Sequence, residues 1–177
     1  MTSAIRVVPY DPRWPEVFET ESGRLRDALG PLALRIDHNG STAVPGLAAK
    51  PIVDIQVSVA SLQPLAPYRE RLAQIGYVHV PHADDAFCPF FHRPAGWPHT
   101  HHVHLVRAGG EEERRTLAFR DYLRDHAAAR HEYEALKRKL AGEFSADSAE
   151  SREGYAIAKG ELIERLIAAA FAAGYPR

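Results

Sequence analysis

Histidines are concentrated in one stretch of the chain, and two of them have a spacing that suits a shared metal ion. Seven of the ten histidines lie between His79 and His104. Side chains at alternate positions of a strand project from one face of a sheet, so His102 and His104 could bind a single cation together. Hydrogen bonding at the mouth of a cleft, without a metal, is the alternative that the spacing leaves open.

Asp54 is an acid inside an otherwise apolar run. The segment 51–59 alternates as a strand does, with valine and isoleucine on one face and Asp54 and Gln56 on the other. A carboxylate in that position needs a charged partner, a cation or solvent. Metal ligation is one solution, and an ordinary ion pair with Lys50 or Arg35 is the other.

A glycine-rich segment could bring the backbone close to a phosphate group. Residues 40–47 read Gly-Ser-Thr-Ala-Val-Pro-Gly-Leu, with small side chains and two hydroxyl groups. Such a segment allows backbone N–H groups to approach an anion. A tight turn without a ligand has the same composition. The segment is not a Walker A loop, because the Gly-Lys-Ser/Thr ending is absent.

The elements that must position these residues are predicted from periodicity and punctuation. A helix is expected from Pro12 to Gly30, after Asp11 as its N-cap. Strands are expected over residues 33–38, 51–59, 77–80, 87–93 and 101–107, with a helix over 62–75 and helices from Glu111 onward. Strands fill the first two thirds of the chain and helices the last third, which predicts an α+β fold with a mixed β-sheet.

Composition narrows the class of protein further. The 177 residues are 45% hydrophobic and 25% charged, which suits one domain over residues 1–177. The formal net charge of -1 argues against a nucleic-acid partner. The single cysteine, Cys88, and the lack of an apolar run of roughly 20 residues indicate a cytoplasmic protein without a membrane span. The apolar C-terminal helix suits either burial in a monomer or a homodimer contact.

Several motifs together resemble the GrpB-like family. They are residues 10–15 (Tyr-Asp-Pro-Arg-Trp-Pro), the run 38–55 around Gly-Ser-Thr-Ala-Val-Pro-Gly-Leu, residues 100–105 (Thr-His-His-Val-His-Leu), residues 117–123, and Tyr155 with Lys159. The likeness extends from about Tyr10 to Phe171. Members of this family also occur fused to dephospho-coenzyme A kinase, and the resemblance implies the fold of the nucleotidyltransferase superfamily.

The resemblance also implies roles for individual residues. In that superfamily a Gly-Ser turn binds phosphate, and acids on two strands hold two Mg²⁺ ions. Here Asp54 matches the first acid, Gln56 stands at the second acid position, and histidine stands where the third acid is expected. We therefore expect catalytic roles for Asp54 and Ser41, phosphate binding by Gly40, Ser41, Thr42, Lys50, Arg120 and Lys159, metal binding by Asp54, His102 and His104, and cleft positions for His38, Gln56 and His101.

The predicted function follows from these roles. The sequence predicts a nucleotidyltransferase-like protein that binds a nucleotide or phosphorylated metabolite with a divalent metal, Mg²⁺, Mn²⁺ or Zn²⁺. The missing acids keep a second hypothesis open, a non-catalytic binding or accessory module on a degenerate transferase scaffold. The histidines motivate a third, a metal-dependent hydrolase with three protein ligands and an open water position.

Overall fold

A computed structural model describes residues 5–176 of the chain, in which five strands form one sheet. The strands are β1 (Arg35–Asn39), β2 (Val53–Val59), β3 (Val78–Val80), β4 (Phe90–Arg93) and β5 (His101–Arg107). Their order across the sheet is β1-β2-β5-β4-β3, in which β2 and β5 run parallel and every other neighbouring pair is antiparallel. The predicted α+β fold with a mixed sheet is confirmed.

Helices cover the two faces of the sheet. The first two pack on one face, and the C-terminal helices supply the other layer, as the predicted helical third requires. None of the helices formed by residues 5–176 has the length and apolar composition needed to cross a bilayer. The helices are α1 (Trp14–Leu29), α2 (Ala66–Gln74), α3 (Glu111–Asp125), α4 (Ala127–Glu143), α5 (Ala149–Ile157) and α6 (Gly160–Ala172).

Some predicted boundaries were wrong by a few residues. Helix α1 begins at Trp14 and not at Pro12, because the Asp11 carboxylate accepts the backbone N–H of Arg13 (2.9 Å) in a turn before the helix. Strand β2 begins at Val53, two residues later than expected, since Pro51 has no N–H for a ladder hydrogen bond. Strand β5 has the predicted limits.

Alternation along β2 separates an apolar face from a polar one. The odd-numbered residues, such as Ile55 and Val57, are fully buried in the core beneath α1 and α2. The polar face is turned to α3, where Thr116 donates a hydrogen bond to the side-chain oxygen of Gln56 (2.5 Å) and Glu113 accepts one from Ser58. These buried polar pairs attach α3 to the sheet beside Asp54.

Helix α4 holds the glycine-rich segment against the sheet. The Glu134 carboxylate accepts the backbone N–H of Ala48 (3.0 Å), and the Lys137 ammonium donates to the carbonyl oxygen of the same residue. Lys137 also donates to the hydroxyl of Ser41 (3.0 Å). Residues at positions i and i+3 of a helix lie on one face, so a single turn of α4 fixes both ends of the segment.

Candidate functional site

The parallel pairing of β2 and β5 brings the predicted metal ligands together. Asp54 lies opposite His102 in the strand register, and Gln56 lies opposite His104. The Nδ1 atom of His102 is 3.2 Å from Asp54 Oδ1, and the Nε2 atom of His104 is 4.0 Å from the same oxygen. One ligand atom from each of Asp54, His102 and His104 lies within 4.8 Å of the others, a spacing that one cation can bridge.

Asp54 is ionised in this setting. Burial raises the pKa of its carboxyl group, but the hydrogen bond from His102 and electrostatic stabilisation by His102, His104 and Lys50 outweigh burial and lower that pKa to about 2. Among residues 5–176, the basic side chains within 4.0 Å of its carboxylate are those of the two histidines, whereas Arg35 is paired with Asp37 (2.7 Å). The expected alternative of an Arg35–Asp54 ion pair was therefore wrong.

Each candidate histidine ligand is contacted from behind on its second ring nitrogen. His102 Nε2 lies 3.0 Å from His99 Nδ1, and His104 Nδ1 lies 3.8 Å from the sulfur of Cys88. Burial raises the pKa of Cys88 to about 12, so the group behind His104 is a thiol. The ring of Phe90 packs against both imidazoles, with centroid distances of 4.9 and 5.0 Å. These contacts limit the directions in which the two rings can turn.

The turn after β1 forms the second wall of the site. Gly40 follows the last residue of β1 with a φ of +64°, and Ser41–Ala43 form one turn of 3-10 helix. His38 fixes this turn from below, with its Nε2 atom 2.9 Å from the hydroxyl oxygen of Thr42 and its ring stacked on Phe18 (4.8 Å). Burial lowers the pKa of His38 to about 4, so its imidazole is neutral.

Three lysines complete the site from the opposite side. Burial, followed by repulsion from Lys159, lowers the pKa of Lys50 to about 8 and that of Lys137 to about 7. Burial also lowers the pKa of Lys159. The ammonium groups of Lys50 and Lys159 lie 5.2 and 4.6 Å from the ring centroid of Tyr155. The site therefore holds cations at close range without enough negative charge to balance them.

One cavity of about 360 Å³ is enclosed by the candidate metal ligands, the turn after β1 and the three lysines. This volume falls in the range of small-molecule sites. Among the described residues, Asp54 is the one that contributes a carboxylate to the wall of this cavity. The side chains and backbone that line it include Gly40, Ser41, Thr42, Lys50, Asp54, Phe90, His102, His104, Tyr133, Lys137, Tyr155 and Lys159.

A larger hollow of about 520 Å³ lies at the start of α3 and is a weaker candidate. Its rim carries Arg107 and Arg115 together with Glu111 and Glu112, so charges of both signs offset each other. Among residues 5–176, the group of side chains whose spacing could hold a metal ion lies in the other cavity.

Four residues predicted for the site do not line the cavity. His101 lies on the opposite face of the sheet, because successive strand residues point to opposite sides, and its Nδ1 atom contacts Arg93 (3.2 Å). Arg120 is held by the carboxylates of Asp37 and Asp121 and donates to a backbone oxygen of β1. The other two, His38 and Gln56, support the turn and α3 from beneath the cavity.

Several residues of the cavity were not predicted as site residues. Lys137 and Tyr133 come from α4, far along the chain from the metal ligands. Their spacing of four residues places both on one helical face, but that pattern is typical of any packed helix. Phe90, which lines the cavity, and His99, which contacts His102 from behind, carried no signal beyond their location in the aromatic and histidine-rich stretch.

The donor set does not fit the two Mg²⁺ ions that the fold implies. Mg²⁺ prefers hard oxygen ligands, and the described site offers the carboxylate of Asp54 with two imidazoles. The side-chain oxygen of Gln56 is already occupied by the hydroxyl of Thr116 and the amide of Asn39 (3.3 Å). The group fits one divalent ion of the kind that imidazole and carboxylate ligands bind together.

The mixed five-stranded sheet with helices on both faces is an α+β fold of the nucleotidyltransferase-like class. The crystal structure of the Cid1 poly(U) polymerase with bound MgGTP shares this fold, with a TM-score of 0.51 and 15% identity over 76% of this chain and 44% of that chain. The chain belongs to the GrpB family, whose family model, described as GrpB protein, matches residues 4–169.

Relatives support this membership. The crystal structure of GrpB from Enterococcus faecalis has a TM-score of 0.81 and 33% identity, covering 93% of this chain and 96% of that chain. The UPF0157 protein BH1888 of Halalkalibacterium halodurans is 37% identical over 93% of this chain and 82% of its own length. A dephospho-CoA kinase of Mycolicibacterium paratuberculosis is 35% identical over 75% of this chain but only 39% of that longer protein.

Proposed function

We propose that this protein binds a nucleotide or another phosphorylated small molecule in the cavity, together with one divalent metal ion held by Asp54, His102 and His104. One observation carries the proposal. Three metal-binding side chains and three lysines meet in a cavity that, among the described residues, Asp54 alone supplies with a carboxylate. A metal ion raises the positive charge further, so the favoured ligand is a polyanion.

The phosphate lies against the turn and the lysines. Gly40 allows the backbone to approach closely, and the hydroxyl of Ser41 faces the cavity beside Lys137. In the free protein burial, followed by repulsion from the ammonium group of Lys159, lowers the pKa values of Lys50 and Lys137. A bound phosphate replaces this repulsion by attraction and stabilises the charged form of each lysine.

One metal ion suits the residues better than two. A divalent ion bound here would polarise a phosphate oxygen as a Lewis acid. Two imidazoles and one carboxylate favour Mn²⁺, Fe²⁺, Ni²⁺ or Zn²⁺ over Mg²⁺. The protein's own contribution is to hold the phosphate beside the metal ligands and to exclude water with the aromatic walls formed by Phe90, Tyr133 and Tyr155.

A second candidate function is a binding module without turnover. The observation that favours it is Gln56, which is buried to 1% exposure and bound to α3 where a transferase needs a second acid. An enzyme that transfers a group to an acceptor forms products, whereas a binding module does not. Phosphorus NMR of the protein with nucleotide, metal and candidate hydroxyl acceptors detects such products and so distinguishes the two functions.

Thermal unfolding of the wild type and Asp54→Asn tests the proposal. The ligands are nucleoside mono-, di- and triphosphates, each with Mn²⁺, Zn²⁺ or Mg²⁺. Nucleotides are tested first because the Cid1 structure contains one. A ligand at 100 times its dissociation constant stabilises a fold by about 2.7 kcal/mol. We expect a shift that requires the metal and is lost in Asp54→Asn. The matched control, Asp27→Asn on the exposed face of α1, keeps the shift. Metal binding that survives Asp54→Asn would contradict the proposal.

A further inference from the structure

His102 lies between two polar groups, and the position of its ring proton decides which of them it can donate a hydrogen bond to. Its Nδ1 atom is 3.2 Å from the carboxylate of Asp54, and its Nε2 atom is 3.0 Å from Nδ1 of His99. A neutral imidazole has one N–H and one lone pair. It can therefore donate toward only one of these neighbours, and the other side must accept a proton or coordinate a cation.

The ring of His99 is held in a fixed plane. It stacks face to face on His92, with a centroid distance of 3.8 Å and an interplanar angle of 9°, and the indole of Trp97 meets it edge-on at 5.0 Å. His92 is itself anchored, because its Nδ1 atom lies 2.9 Å from the carbonyl oxygen of Pro94, which can only accept. The plane of His99 thus aims its Nδ1 atom at His102.

A metal ion held by Asp54 would decide between the two arrangements. It would take the lone pair on Nδ1 of His102, so the proton of the neutral ring would be on Nε2. The acceptor close to that proton would be the lone pair on Nδ1 of His99. Groups that accept the second N–H of a ligating histidine fix its tautomer and orientation, and their loss weakens metal binding by about 10- to 100-fold.

We propose that His99 is a positioning residue for the metal: it accepts the Nε2 proton of His102 and so keeps the Nδ1 lone pair of His102 facing Asp54. The role rests on the proposed function, since it requires a metal on Asp54, His102 and His104. The rings that hold His99 in place are Trp97, on the segment between β4 and β5, and His92, on β4 itself.

The first test measures metal affinity by titration with Co²⁺, whose visible absorption also reports the ligand geometry. His99→Phe keeps an aromatic ring between His92 and Trp97 but removes the acceptor, and His99→Gln restores one. We expect His99→Phe to weaken Co²⁺ binding by roughly 10- to 100-fold with an altered spectrum, and His99→Gln to recover part of the loss. His126→Phe is the matched control, because His126 stacks on Tyr122 directly after α3 and does not line the cavity.

The outcomes separate this role from the proposed function. If the wild type binds Co²⁺ and His99→Phe binds it equally well, the role of His99 is wrong while the metal site stands. If the wild type does not bind Co²⁺, Zn²⁺ or Mn²⁺, both are wrong. Imidazole nitrogen NMR of the Zn²⁺-loaded wild type gives a reading that needs no variant. We expect Zn²⁺ on Nδ1 and a proton on Nε2 of His102, and coordination through Nε2 would overturn the proposal.

Discussion

Gly40 lies directly against the carboxylate of Asp54. A Cβ atom built on Gly40 would come within 2.4 Å of Asp54 Oδ2 and 2.9 Å of Asp54 Cβ. The contact arises because Asn39, the last residue of β1, is paired with Asp54 in the sheet, so the chain turns immediately above that carboxylate. The close approach of the Gly40 backbone to Asp54 thus positions both the turn that would hold a phosphate and the acid that would hold a metal.

Gly40→Ala is expected to damage both stability and metal binding. The residue has a φ of +64° and a ψ of −167°, a conformation that is essentially restricted to glycine and costs another residue about 1–3 kcal/mol. The new methyl group would also displace the Asp54 side chain. Gly109→Ala is the matched control, because its φ is +68° and no atom lies within 4 Å of the position that its methyl group would take. Urea denaturation and metal titration of both variants separate backbone strain from the clash. Equal losses in the two variants would contradict the role of the close approach.

Lys137→Met is expected to weaken binding of a phosphorylated ligand by about tenfold or more. A hydrogen bond from a charged group contributes about 1.5–3 kcal/mol, and 1.4 kcal/mol corresponds to a factor of ten. Lys137 is 2% exposed, and its ammonium group lines the cavity beside Ser41. Lys139→Met, on the exposed side of the same helix, should leave the affinity unchanged. Calorimetric titration measures both variants, and thermal unfolding confirms that they fold.

Affinity for the phosphorylated ligand should fall as the pH rises above 7. The pKa values of Lys137 and Lys50 are lowered to about 7 and about 8. Both ammonium groups therefore lose their proton and their charge at a pH where the phosphate is already fully ionised. Ligand binding favours the charged lysines, so the complex takes up protons near pH 8. Calorimetry in two buffers of different ionisation enthalpy measures this uptake. Proton release, or an affinity that does not change between pH 7 and 9.5, would contradict the placement of the phosphate.

The same two lysines should make the unfolding free energy of the ligand-free protein depend on pH. A lysine whose pKa is lower in the folded state than its usual value of 10.5 destabilises the fold while it is charged. The unfolding free energy should therefore rise as the pH increases from about 7 toward 10.5, because the unfolded chain binds more protons over that range. Denaturation at several pH values checks the sign, and Lys137→Met should reduce the slope.

The part of the site that lies on strands could be predicted from the sequence, and the part that lies on helices could not. Strand alternation placed His102 with His104 on one face of β5 and Asp54 on the polar face of β2, because successive strand residues point to opposite sides. That the three side chains belong to one site was implied by the resemblance, and the strand register brings them together. Lys137 reaches the site only because α4 folds back over the sheet, and no local pattern encodes that return. Arg120 looked equally available as a cation until the structure placed Asp37 and Asp121 around it.

The fold was predicted mainly by resemblance. Periodicity located the strands, but the order β1-β2-β5-β4-β3 depends on contacts between segments far apart in the chain. Within β5, alternation also excludes His101 from the face that carries His102, although its neighbours had suggested a shared cleft. The single domain over residues 1–177, the homodimer contact and the cytoplasmic location stay predictions.

Gln56→Glu should destabilise the protein at neutral pH without creating a two-metal site. Gln56 is buried, and α3 holds its side-chain oxygen through Thr116. A buried carboxyl group has a pKa above its usual value of about 4.3, so the cost of ionising it is present at pH 7 and disappears as the pH falls below the unfolded value. We expect a loss of roughly 1–3 kcal/mol at pH 7 and a smaller one at pH 5.

Urea denaturation at the two pH values measures this loss, and Gln74→Glu at the exposed end of α2 is the matched control. A loss that is the same at both pH values would show that packing and not charge is responsible. Titration with Mn²⁺ completes the test. We expect the variant to bind one ion as the wild type does, because Thr116 and Asn39 keep the side chain at position 56 directed toward α3 and β1. A second bound ion would contradict this expectation. It would show that the charge at position 56 alone separates this site from a two-ion site, and that the side chain there leaves its contact with α3 to bind the metal.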